Sequence, residues 1–272
     1  MPPFPLLRLP RLVLFEVFKS LNIEEKIKLS LCSKKTSIQI NNAQFYSQKV
    51  IVDLDMLSHT IRVFSKNNKD IFEIFTYQDS GISHNSNTHQ LPIECCTTGI
   101  KTFWKNHREG YLSVIRHLLK MFQCKISADT KIDDIVQSQP IISELFDLQV
   151  EFKTLTIILD ESKYQNFLWN QISNNLGLVK DLNIISFLDS EFIPVFTSWP
   201  QEISIICSEW VTLESLLTCT CATIRLDWSY LRNKDLGVIL RNWILSIYTK
   251  YLYLMSFTPL IMFIPLLPTF SP

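Results

Sequence analysis

A chain of 272 residues that is 47% hydrophobic and 19% charged has the composition of a globular protein, not of an extended disordered one. Five glycines are too few for a glycine-rich nucleotide loop or a Gly-Ser linker, and a formal net charge of zero gives no overall field directed at nucleic acid. The charge is uneven: residues 1–49 hold eight Lys or Arg against three Glu, whereas the rest holds 18 against 23 Asp or Glu. A basic N-terminal segment therefore precedes an acidic body, which suits an acidic protein partner or simply a solvated basic face.

Two helices and a third helical turn are expected in Phe4–Ile40. After Pro10, residues Leu14, Val17, Phe18 and Leu21 fall at the i, i+3, i+4 and i+7 positions of one helix face, with Arg11, Glu16 and Lys19 elsewhere. Asn22 is placed to cap a second helix, and Glu25 three residues on completes a capping box. That helix is expected to turn Ile27 and Leu31 inward and to stop near Ser33, whose hydroxyl suits a cap for a further turn through Ile38. So short a module hides too little surface to stand alone and needs a partner surface.

The pattern Leu9-Pro10, Leu14, Val17-Phe18, Leu21, a capped polar turn, then Ile27 through Leu31-Cys32-Ser33 resembles an F-box spanning residues 4–48. More narrowly, it resembles the F-box of the large nematode family with an F-box-associated domain behind it. The resemblance implies docking on the Skp adaptor of a cullin-RING ubiquitin ligase. The residues it assigns to that contact are Leu9, Pro10, Leu14, Val17, Phe18, Ile27 and Leu31, with Arg8, Arg11 and Lys19 as a polar rim.

From residue 49 the pattern becomes extended. Val50–Val52 and Thr60–Phe64 read as strands, and a polar turn at residues 66–70 leads to a third at Ile71–Phe75, making a hairpin. Ser80–Gln90 is a polar loop. Gly110–Cys124 is a helix leading into a strand at Lys125–Ser127. Ile132–Leu148 is helical but interrupted by Pro140, and leads to a strand at Thr154–Leu159. Ser162–Leu176 is a helix ended by Gly177 as a C′ residue, followed by a strand at Asp181–Ile185. Further strands are expected at Glu202–Ile206, Ala222–Leu226 and Tyr251–Leu254. The landmarks Ile126, Leu155, Leu182, Ile203, Ile224 and Leu252 recur at 29, 27, 21, 21 and 28 residues. Alternating helix and strand at that spacing suggests an irregular leucine-rich-repeat-like α/β array over residues 49–255, with a compact α/β sandwich as the rival. In either fold each helix–strand unit has an apolar face that only its neighbours can bury. On a strand-lined face, Asn183, Ser204 and Arg225 are the candidate substrate-contacting residues.

Ser208–Leu217, Ile224–Leu226, Leu231–Leu236 and Ile239–Ile244 resemble, in that order, a type 2 F-box-associated domain, best over residues 150–255. Here Asn233 or Asp235 opens a helix with Leu236, Ile239, Leu240 and Trp243 as its apolar stripe, Trp243 serving as a core anchor. Where that family has a Gly or Asn turn, this chain has Leu245-Ser246-Ile247-Tyr248. Tyr251–Pro272 contains no charged residue, and its tail from 256 is apolar. Its length approaches a membrane span, but Pro259, Pro265 and Pro268 oppose a helix there. A strand followed by a diverged tail is the reading preferred over a tail anchor.

Little chemistry competes with binding. His84, His89, Cys95 and Cys96 match no common metal spacing, and Cys219 and Cys221 read as small packed residues on one strand face. His107 and His117 flank one helix, one expected exposed and one half-buried. Asp133-Asp134 and Asp160-Glu161 sit at element ends. No oriented nucleophile, phosphate loop or dinucleotide fingerprint is present, so no catalysis, metal or cofactor is expected. Seven scattered cysteines and the lack of any Asn-x-Ser/Thr site favour a reducing intracellular compartment, cytoplasmic or nuclear. Taken together these features fit a substrate receptor of an SCF-type ligase, with an adaptor, a cullin beyond it and an unknown protein substrate as partners. The alternatives are an interaction scaffold without ligase assembly and a tail-anchored membrane protein.

Overall fold

The structure is a computed structural model. It describes residues 6–43, 50–56, 58–65, 71–78, 93–96, 99–131, 135–148, 150–159, 165–186, 194–244, 251–255 and 262–264. The chain forms two compact units, Met1–Ser127 and Ala128–Pro272.

The first unit begins with a short 3-10 turn at Leu6–Arg8 and three helices, α1 (Arg11–Ser20), α2 (Ile23–Cys32) and α3 (Lys34–Ala43). Pro10 stands at the N-cap of α1, where its missing N–H costs nothing. The capping box that opens α2 has both of its bonds: Glu25 N–H donates to Asn22 Oδ1 at 2.8 Å and Asn22 N–H to Glu25 Oε2 at 2.9 Å. Ser33 Oγ accepts from Lys35 N–H, and α3 continues past Ile38 to Ala43. The reason is a buried stripe, Thr36, Ser37, Ile40 and Ala43, that carries the helical period onward.

Strands β1 (Val50–Asp55), β2 (Thr60–Ser65) and β3 (Ile71–Gln78) form an antiparallel meander that contains the expected hairpin. Arg62 on β2 stands opposite Asp53 and Glu73 and lies within 4 Å of Asp53, Asp55 and Glu73 carboxylates. The pair β4 (Ile93–Cys96) and β5 (Gly99–Trp104) was not legible as strands; β5 runs parallel to β3 and antiparallel to β4. Within this unit the strand order is β1-β2-β3-β5-β4. A Cβ at Gly99 would lie 1.9 Å from the Glu73 carbonyl oxygen, so the β3–β5 approach requires glycine there.

Helix α4 (His107–Phe122) starts three residues before Gly110, because Asn106 Oδ1 accepts from Glu109 N–H and caps it. A Cβ at Gly110 would lie 2.1 Å from Trp104 Cγ, so the first turn of α4 packs directly on the indole. Strand β6 (Lys125–Lys131) follows α4.

The second unit alternates α5 (Ile135–Asp147), β7 (Phe152–Leu159), α6 (Gln165–Ser173), β8 (Val179–Ser186), β9 (Glu202–Ile206), α7 (Leu213–Thr218), β10 (Thr223–Asp227), α8 (Asn233–Ile244), β11 (Tyr251–Met255) and β12 (Met262–Ile264). Strands β7 to β11 are parallel neighbours in chain order, and β12 adds antiparallel. Register sets Leu155, Leu182, Ile203, Ile224 and Leu252 side by side, so five of the spaced landmarks form one row. Sequential parallel strands joined by right-handed crossovers put their helices on one face. Burial agrees: Leu155, Ile157, Leu182, Ile184, Ile203, Ile205, Ile224 and Leu226 are buried, and the alternating residues of β7–β10 are not, apart from the strand-end residues.

Several local expectations need correction. Helix α5 runs through Pro140 instead of breaking there; Ile141, Ile142, Leu145 and Phe146 are buried, and this packing outweighs one missing N–H. Helix α6 ends at Ser173, and Gly177 sits inside a 3-10 turn at Leu176–Leu178. Cys219 and Cys221 are not on a strand: they are buried in the connection from α7 to β10, where Cys221 N–H points at Cys219 Sγ. His107 and His117 are both half-buried. Ile239 is the buried member of the α8 stripe, flanked by half-buried Leu236 and Leu240, and the Trp243 side chain lies outside the described part.

Also outside the described residues are the turn at 66–70, the loop with His84 and His89, Asp133-Asp134, Asp160-Glu161 and most of the tail. Tyr251–Leu254 is the expected strand. Among the described residues no helix is long and apolar enough to cross a membrane.

Candidate docking surfaces

The N-terminal helices divide their apolar residues between an inner and an outer set. Leu14 and Phe18 on α1, Ile23 and Ile27 on α2 and Ile40 on α3 are buried, so Leu14, Phe18 and Ile27 act first as the module's own core. Leu9 and Val17 are half-buried, and Pro10 is exposed. Leu31 points outward, 42% exposed, rather than inward. On α1 the exposed apolar residues are ones that helical spacing does not single out: Leu12 is 80% exposed and Val13 47%, while Ile38 on α3 is 52% exposed. Folding leaves apolar surface on the start of α1, beside exposed Arg8 and Arg11, whose guanidinium sits 5.1 Å from the Phe15 ring. The i, i+3, i+4 rule selects the stripe that α1 turns toward α3; the opposite side carries no such signature. Lys26 is buried, and burial lowers its pKa, partly countered by Glu25.

The module is seated on the rest of its unit through polar and apolar contacts. Ser30 Oγ donates to Ile27 O at 2.7 Å and lies 2.8 Å from His117 Nε2 on α4. A hydroxyl has one proton, so with that proton on Ile27 O it accepts from His117 Nε2–H. Burial, then the nearby Lys120 charge, lower the His117 pKa, which favours the neutral ring. Asn41 on α3 donates to Lys120 O and accepts from Gln123 Nε2. Beside this seam is an apolar cleft of about 170 Å³ whose lining includes Ile27, Leu31, Ile74, Ile100, Trp104 and His117.

In the second unit the three expected substrate-contacting residues come together. Asn183 pairs with Ser204 and Ser204 with Arg225, so the three form one row across β8, β9 and β10 on the face opposite the buried row. Asn183 and Ser204 are half-buried and Arg225 is exposed. Two residues earlier on each strand, Asp181 stands beside Glu202, and Lys180 bridges both at 3.4 and 3.7 Å.

At the carboxyl ends of the same strands lie residues that the sequence reading did not pick out. Ser186 Oγ donates toward Ile206 O and Cys207 O and accepts from Trp210 Nε1 at 2.9 Å. Ser208 donates through both N–H and Oγ to Asp227 O. Cys207 and Trp228, which directly follow β9 and β10, both adopt left-handed backbone, with φ of 58° and 62°. Such a conformation costs a non-glycine residue about 1–3 kcal/mol. Trp228 is 50% exposed and Tyr230 68%. The available signal was the run Asp227-Trp228-Ser229-Tyr230, two aromatics just after a strand with no apolar periodicity to bury them. The segment before β9 is fixed differently, by Trp169 Nε1 donating to Val195 O and by Phe196 stacked on Trp199 at 4.1 Å. Among the described residues no group of three or more His, Cys, Asp or Glu could hold a metal ion.

Comparison with known families matches residues 6–48 to the F-box domain and residues 192–254 to the F-box associated family. The first match covers the 3-10 turn and α1–α3. The second begins at residue 192, not 150, and covers β9, α7, β10, α8 and most of β11. No curated protein and no solved structure matches the chain.

Proposed function

We propose that this chain is the substrate-receptor subunit of an SCF-type cullin-RING ubiquitin ligase, itself non-catalytic and acting inside the cell. Its F-box would dock on a Skp-type adaptor, and the second unit would hold a protein target, as in the nematode proteins whose pattern it resembles. The observation that carries this reading is the F-box match over residues 6–48 on a module that leaves Leu12, Val13 and Pro10 in solvent. Burying one such side chain against a partner contributes about 1.5–3 kcal/mol, enough for two or three to anchor an interface. Leu9, Val17 and Leu31 are reachable from the same solvent, whereas Leu14, Phe18 and Ile27 support them from beneath.

The parallel β7–β11 order, with its buried and open faces, supports a leucine-rich-repeat-like reading of the second unit. The Asn183–Ser204–Arg225 row on its open face is the proposed platform for the target. Affinity purification of the tagged chain tests the assignment. Co-purification of an adaptor and a cullin is the expected result; recovery without either favours a scaffold that assembles no ligase.

A further inference from the structure

The open face of strands β7–β10 carries a second row that the strand–helix repeat does not need. Register sets Ile158 beside Ile185 and Ile185 beside Ile206, one isoleucine per strand. They lie two residues beyond Thr156, Asn183 and Ser204, on the same side of the sheet. Ile158 and Ile185 are half-buried and Ile206 is 39% exposed, whereas the isoleucines and leucines of the opposite face are buried. Three apolar side chains in line make a patch, not a scattered surface residue.

The polar row beside them is open in its bonding. Among the described residues the side chains of Asn183, Ser204 and Arg225 make no hydrogen bond or ion pair, although Asn183 and Ser204 are half-buried. An amide, a hydroxyl and a guanidinium, each able to donate, thus stand about 4.8 Å apart from strand to strand. The neighbouring carboxylates do not answer Arg225. Asp181 and Glu202, toward the amino ends of β8 and β9, share Lys180. Asp227, two residues on from Arg225, makes no ion pair with it among the described residues and has its Oδ1 closed to solvent. Past the carboxyl ends, exposed Arg232 and Lys234 outnumber exposed Glu209. Arg225 is therefore an exposed cation without a counter-charge, diagonal to Ile206 at about 8 Å.

We propose that this face binds a segment of the target protein that combines an acidic side chain with an apolar one. The carboxylate pairs with Arg225, with Ser204 and Asn183 as further donors, and the apolar side chain covers Ile206 and Ile185. A guanidinium holds a carboxylate through two parallel N–H···O bonds, and such charge-assisted bonds are the stronger ones. Alternate side chains of an extended segment stand about 7 Å apart, close to the diagonal from Arg225 to Ile206. The proposal rests on the reading that the second unit holds a protein target, and it specifies that target's chemistry.

A library of random short peptides displayed on phage and selected on the purified full chain tests it. Selected peptides are expected to be enriched in Asp or Glu accompanied by Leu, Ile, Val or Phe. For one selected peptide, fluorescence anisotropy should show binding about tenfold weaker when its acidic residue is replaced by Gln. That replacement should change nothing on the Arg225→Gln chain, and Arg225→Glu should select basic peptides instead. Ile206→Ser should weaken the same peptide about fivefold. Lys234→Glu, at the start of α8, should leave affinity unchanged, which separates a site at Arg225 from general positive charge along that edge. All three positions are exposed, so melting temperatures should match wild type. Selection without acidic enrichment, or a loss on the Gln peptide that is equal in wild type and Arg225→Gln, overturns the proposal. Adaptor capture on the same preparation keeps the two readings apart: capture without acidic selection overturns the acidic and apolar target alone, and acidic selection without capture supports it while removing the ligase reading.

Discussion

Ser30 Oγ on α2 lies 2.8 Å from His117 Nε2 on α4, a contact between residues 87 positions apart that ties the F-box helices to the strands and helix behind them. The module is therefore not an appendage on a linker but part of the compact unit Met1–Ser127.

The burial of His117 makes stability depend on pH. Burial and Lys120 depress the His117 pKa below its ordinary 6.5, so the folded state prefers the neutral ring. Above 6.5 both folded and unfolded states are neutral and the full stability is present. As pH falls below 6.5 the unfolded chain takes up the proton first, and stability is lost toward the lowered folded pKa. Thermal melts should therefore show a falling midpoint just below pH 6.5. In His117→Gln that part of the dependence should vanish; an unchanged profile in the variant would remove His117 as its source.

Gly110→Ala should be strongly destabilising. The added Cβ would fall 2.1 Å from Trp104 Cγ at the first turn of α4, so either the indole or the helix must shift. Overpacking of this kind costs about 1–3 kcal/mol. Chemical denaturation of the two proteins measures it, and a midpoint equal to wild type would show that Trp104 yields freely.

Asn22→Ala should cost about 1 kcal/mol, the usual worth of an N-cap, because it removes the acceptor for Glu25 N–H at the start of α2. Asn22→Asp should retain most of that stability. Equal losses in both variants would mean that the cap bond contributes nothing.

Much of this architecture was readable because it rests on short-range rules. The Asn22–Glu25 capping box needs only residues three apart, and it forms as read. The landmarks Leu155, Leu182, Ile203, Ile224 and Leu252 needed only a period, and they lie in one row because equal placement within each helix–strand unit becomes register. Asn183, Ser204 and Arg225, each one residue after a landmark, are thereby brought side by side on the open face.

Features set by distant partners were not readable. Parallel pairing of β5 with β3 depends on Gly99 clearing the Glu73 carbonyl, which no local pattern encodes. Helical spacing marked Leu14 and Phe18 because they are the covered stripe, and for the same reason passed over Leu12 and Val13. Pro140 was read as a break because its missing N–H is a local cost, whereas the packing of Ile141, Ile142 and Leu145 that outweighs it is tertiary.

The division of α1 into a buried and an exposed set decides how docking should be probed. Leu14→Asp would place a charge in the module's own core and confuse unfolding with lost binding, whereas Leu12 and Val13 can be changed at the surface. The most direct measurement is the affinity of a purified Skp-type adaptor for the full chain and for the Leu12→Asp, Val13→Asp double variant, each with its melting temperature. The account predicts a stable complex with the wild-type chain and a loss of about a hundredfold in the variant at unchanged melting temperature. Equal affinity for both, or no complex with the wild-type chain, would contradict it.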